Sequence, residues 1–96
     1  MPRILLIDDD AQLGEPLSQY MARFGLALVQ ALRPSAGLAL LHQGGFDAVI
    51  LDVMLPEMDG FELCRTLRRD STLPIVMLTA RGDVMDRVVG LEWMGA

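Results

Sequence analysis

Ala48-Val49-Ile50-Leu51-Asp52-Val53-Met54-Leu55-Pro56-Glu57-Met58-Asp59-Gly60 decides the fold. A short apolar run delivers one carboxylate, Asp52, to the mouth of a turn running from Pro56 to Gly60. The same arrangement occurs near the start, where Ile4-Leu5-Leu6-Ile7 ends in Asp8-Asp9-Asp10. Apolar runs this short read as parallel strands buried on both faces, and in open α/β sheets the ligand site lies beyond the strands' carboxyl ends. The acids are therefore expected to converge. Two carboxylates about 4 Å apart repel by roughly 4 kcal/mol at an effective dielectric of about 20, unless a proton or a hard cation intervenes. A magnesium ion is the simplest neutraliser.

Outward from these two runs the chain alternates strand and helix in four βα units, with no internal repeat or linker-like tract. Strand one is read from Arg3 to Asp8, and the helix after it carries Leu13, Leu17, Tyr20, Met21 and Phe24 at helical spacing. Pro16 fits only a first turn, so this helix either begins near Gly14 and Glu15 or opens with a distortion costing roughly 3 kcal/mol. Gly25 ends it, Leu26 to Ala31 is strand two, and Pro34-Ser35 starts a second helix carrying Leu38, Leu40 and Leu41 until Gly44-Gly45. Strand three runs from Asp47 to Asp52. The third helix presents Phe61, Leu63, Cys64 and Leu67 inward and Arg65, Arg68 and Arg69 outward. Strand four is Pro74 to Thr79, and a fourth helix from Asp83 carries Val84, Val88, Leu91 and Trp93. Right-handed crossovers place the helices on both sheet faces, a doubly wound α/β architecture.

Composition narrows the function. With 96 residues, 52% of them hydrophobic, the chain suffices for one domain with a single core. A net charge of −5 and eight scattered arginines offer no phosphate-tracking face, so nucleic-acid binding by this chain is not expected. The lone Cys64 cannot form an internal disulfide and reads as a small core residue, which suits a reducing cytoplasm. No apolar run reaches the roughly 18 residues of a membrane span, and strand one turns acidic too soon for a signal peptide. His42, late in the second helix, reads as surface decoration. Asp10 is expected to cap the first helix, and Asp59-Gly60 to be turn chemistry, with Gly60 taking a backbone shape other residues resist.

An acidic pair after strand one, a lone Asp after strand three and the hydroxyl of Thr79 after strand four together suit phosphoryl transfer. Through Ile4 to Asp10, Leu51 to Gly60 and Pro74-Ile75-Val76-Met77-Leu78-Thr79-Ala80, the chain resembles the receiver domain of two-component response regulators over its whole length. The resemblance implies a flavodoxin-like fold with strand order 2-1-3-4 in residues 1–96, lacking the family's fifth strand and helix. It makes Asp52 the phosphoacceptor for a sensor histidine kinase, and Asp8, Asp9, Asp52 and the backbone carbonyl of Met54 the magnesium ligands. Thr79 becomes the switch hydroxyl. Such a protein is a signalling receiver that catalyses its own aspartyl phosphorylation, not a turnover enzyme. Arg81-Gly82-Asp83 and Asp86 to Glu92 look like regulators carrying a C-terminal winged-helix DNA-binding domain, so the implied output is transcription, with no output domain expected within residues 1–96. The chain contains no lysine, whereas the family's fifth strand supplies one, and Leu91 to Ala96 is one residue longer than the usual Leu-Glu-x-Gly-Ala. Without a fifth strand, Ile75 to Leu78 is an open edge, and a homodimer or oligomer through strand four and the fourth helix is expected.

Two other readings compete. Asp8-x-Asp10 with Thr79 also resembles the haloacid dehalogenase type of phosphotransferase, with Asp8 as nucleophile, but that leaves Asp52 and its loop unexplained. A receiver-derived interaction module that needs no phosphorylation is the other alternative.

Overall fold

The computed structural model describes residues 1–53 and 55–78. In chain order the elements are β1 (Arg3–Ile7), α1 (Gly14–Ala22), β2 (Ala27–Ala31), α2 (Pro34–Gln43), β3 (Ala48–Asp52), α3 (Gly60–Asp70) and β4 (Ile75–Leu78). The expected fourth helix, Trp93, Thr79 and Met54 lie outside the described residues. The four strands form one parallel sheet in the order β2-β1-β3-β4, the order that the family resemblance implies. Its register pairs Ile7 with both Ala31 and Leu51, and Asp52 with Leu78, so β1 and β3 end side by side.

Alternate strand residues build the main core. Leu5, Ile7, Val49, Leu51, Ile75 and Met77 cluster with Ala31, Phe46 and, from α3, Leu63, Cys64 and Leu67. Leu5, Leu6, Ile7, Leu51 and Leu63 are wholly buried, and a side chain of that size contributes roughly 1.5–3 kcal/mol on burial. Cys64 fills this core, and burial holds its thiol above the ordinary range, as expected of an inert thiol. Gly37 lets α2 lie on β1: a Cβ there would stand 2.5 Å from Ile7 Cδ1.

The helices start as local chemistry dictates. Pro34 occupies the first position of α2, where its missing N–H costs nothing, and Gly44 stops the helix at φ 81°. Pro16 is likewise in the first turn of α1, which begins at Gly14, so no helical hydrogen bond is lost. Asp59 caps α3 by accepting from the Glu62 N–H at 2.8 Å.

Several expectations need correction. Tyr20 and Phe24 share the helical phase of Leu17 and Met21 yet are 55% and 64% exposed, packed edge-to-face on each other at 5.3 Å. Phe61 is also exposed, and the residues α3 places in the buried core are Leu63, Cys64 and Leu67. Arg68 does not point freely outward; its guanidinium donates to the Ser71 and Leu73 carbonyls and fastens the turn into β4. Gly60 has no positive φ. It is needed for close approach instead, because a Cβ would lie 2.5 Å from the Asp52 carbonyl oxygen and 2.7 Å from Val53 Cα.

Candidate functional site

β1 and β3 are adjacent and in register, so their carboxyl ends bring Asp8 and Asp52 to one edge of the sheet. Asp9 follows in the β1–α1 loop, and oxygen atoms of Asp8, Asp9 and Asp52 all lie within 4.8 Å of one another. Asp8 and Asp52 are buried, at 8% and 6% exposure, whereas Asp9 is open to water. The three acids named from the sequence are thus brought together. Met54 and Thr79, the other two members of that set, lie outside the described residues.

The Asp8 carboxyl is held above its ordinary range, first by burial and then by the negative charges of Asp52, Asp9 and Asp10. Opposing this, the Asp10 N–H donates to Asp8 Oδ1 at 2.9 Å and favours the ionised form. All-oxygen donors, two of them buried and mutually repelling, fit a hard cation such as magnesium.

Asp10 plays a different part from the helix cap expected of it. Its Oδ1 accepts from the Gln12 N–H at 2.9 Å and its carbonyl from the Leu13 N–H at 3.1 Å, closing a turn ahead of α1, whose own N-cap Leu13 has no side-chain bond. Asp10 therefore lies outside the converging set, unlike the Asp8-x-Asp10 pairing of the dehalogenase-type reading. His42 sits exposed in the last turn of α2, a surface position as expected.

Two residues near the site were not singled out from the sequence. Gln30 reaches from β2 to donate to the Asp8 carbonyl at 2.8 Å and the Asp10 carbonyl at 2.9 Å. The available signal was a lone polar residue in the run Ala27-Leu28-Val29-Gln30-Ala31. Glu57, in the loop after Asp52, accepts from the Ser35 N–H at 2.9 Å and the Ser35 hydroxyl at 3.1 Å. It thereby caps α2, and these bonds hold its carboxyl below the usual range. A contact between positions 22 apart left no local signature.

Comparison with known proteins agrees with this geometry. The model of the response regulator receiver domain matches residues 4–96. The transcriptional regulatory protein AfsQ1 of Streptomyces coelicolor is 48% identical over 92 residues, covering 96% of this chain and 41% of AfsQ1. The chain spans 35 to 41% of the length of such curated relatives. Among solved structures, the non-phosphorylated HemR receiver domain from Leptospira biflexa superposes with a TM-score of 0.77 at 35% identity, covering 100% of this chain and 77% of that one. The response regulator TrrA from Thermotoga maritima, solved in complex with Mg2+-BeF, gives a TM-score of 0.80 at 28% identity, covering 98% of this chain and 81% of its own. Among the described residues no helix is long and apolar enough to cross a membrane. By sequence, by sheet order and by the placement of its acidic residues, the chain belongs to the response regulator receiver domain family.

Proposed function

We propose that the chain accepts a phosphoryl group on Asp52 from a sensor histidine kinase, in a magnesium-dependent reaction in the cytoplasm, and so regulates an output such as transcription. The observation that carries this is the convergence of Asp52 with Asp8 and Asp9 at the carboxyl edge of the sheet.

A carboxylate oxygen of Asp52 attacks the phosphorus of a phosphohistidine. The new O–P bond forms as the P–N bond breaks, and the departing imidazole takes up a proton. Burial shields the Asp52 carboxylate from bulk water, and the neighbouring β1 end aligns Asp8 beside it. Asp8, Asp9, Asp52 and the carbonyl of Met54 are the proposed magnesium ligands; bound there, the ion neutralises charge that builds on the phosphoryl oxygens. The Thr79 hydroxyl is assigned to donate to one of those oxygens and to report its arrival. Among the described residues β4 lies at the sheet edge, and its backbone along Ile75 to Leu78 is the proposed contact of a homodimer, checked by light scattering across a concentration series.

The deciding experiment is peptide mass spectrometry after treatment with a small-molecule phosphodonor and magnesium. One phosphoryl mass on Asp52, lost in Asp52→Asn, is expected. A mass gain on Asp8 instead would support the dehalogenase-type reading, and none at all would leave the phosphorylation-independent interaction module.

A further inference from the structure

We propose that Gln30 is a positioning residue for the acidic loop, holding Asp9 where it can complete the metal site; the inference rests on the magnesium reading above. Gln30 stands in β2, opposite Leu6 of β1, and is half-buried. Both hydrogens of its side-chain amide are used, one on the Asp8 carbonyl at 2.8 Å and one on the Asp10 carbonyl at 2.9 Å. Those carbonyls flank Asp9. Pinning them from a strand restrains rotation about the residues between, so the one exposed acid of the cluster is aimed by an amide, not by packing of its own.

A second residue fixes the other end of that amide. Gly14, the buried first residue of α1, lies so close that a Cβ on it would fall 1.9 Å from Gln30 Oε1. The glycine is required here for room, since its φ is not positive. Gln30 is therefore held between the start of α1 and the acidic loop, and either partner can be altered to displace it.

Gln30→Met keeps side-chain length and removes both donors, while Gly14→Ala keeps Gln30 but evicts it. Magnesium affinity is read by calorimetry on the full chain, and backbone amide exchange of Asp10 and Gln12 by NMR without metal. Each variant is expected to weaken magnesium binding about tenfold, the low end for residues that orient metal ligands, and to speed exchange at both amides. The double variant is expected to be little weaker than either single one, because both act through one contact. Lowered melting temperatures with unchanged affinity and exchange would overturn the assignment and leave Gln30 a packing residue. A wild-type chain that binds no magnesium would instead remove the metal reading. The metal-free exchange rates then decide whether Gln30 holds the loop, and equal rates in all variants overturn that as well.

Discussion

Asp52→Asn is expected to stabilise the chain without metal and to lose that advantage when magnesium is added. One carboxylate oxygen from each of Asp8, Asp9 and Asp52 lies within 4.8 Å of the other two. At that spacing two unit charges repel by about 1 kcal/mol in bulk water and about 3.5 kcal/mol at an effective dielectric of about 20. Asp9 is exposed and screened, so the Asp8–Asp52 pair, buried on both sides, dominates. The lower of these limits, roughly 1 kcal/mol, is what the amide is expected to recover. For a domain of this size that is a rise of about 4–8 °C in melting temperature. Magnesium at about 100 times its dissociation constant stabilises the wild type by about 2.7 kcal/mol, which exceeds the amide's gain. The order of melting should therefore invert between EDTA and saturating magnesium. Thermal melts of both proteins in both buffers test this. A metal-free variant that melts at or below wild type, or an equal magnesium shift in both, would refute the repulsion argument.

Asp9→Ala should remove most magnesium binding in calorimetry while barely changing stability, because its carboxylate is exposed and contributes to the site more than to the fold. Because Asp8 binds its proton more tightly folded than unfolded, metal-free stability should rise as pH falls from neutral through its raised range toward 3.8, and Asp8→Asn should flatten that rise. The lowered Glu57 carboxyl works oppositely, contributing above 4.5 and losing that contribution as pH falls through its folded value, so denaturant titrations above pH 4.5 isolate Asp8. Gly60→Ala should cost about 1–3 kcal/mol in urea unfolding, since its Cβ meets the backbone of Asp52 and Val53, which cannot swing aside. It should weaken magnesium binding in the same preparation.

The meeting of Asp8, Asp9 and Asp52 was legible because parallel strands end on one edge of a sheet, whereas the order β2-β1-β3-β4 was legible only through the family resemblance, since polarity does not fix which strands are neighbours. The fates of Tyr20, Phe24 and Phe61 were not legible. Periodicity gives the phase of a helix face but not how far a neighbouring element covers it, and these three rings lie where coverage stops. Gly60 was recognised as special for the wrong physical reason, because close approach of two backbones is a tertiary fact while a turn signal is local. Gln30 and Glu57 act across 20 and 22 positions, a separation at which residue type alone suggests no partner.

The loop after Asp52 carries two caps for two different helices: Glu57 serves the start of α2 and Asp59 the start of α3. Each cap is fixed in its distance along the chain from the acceptor, so loop length constrains this protein as strictly as loop composition. A loop grafted from another regulator to change kinase preference could alter nearly every side chain and still fold. One inserted residue between Asp52 and Glu57 would pull both helices out of step with the strand that bears the acceptor.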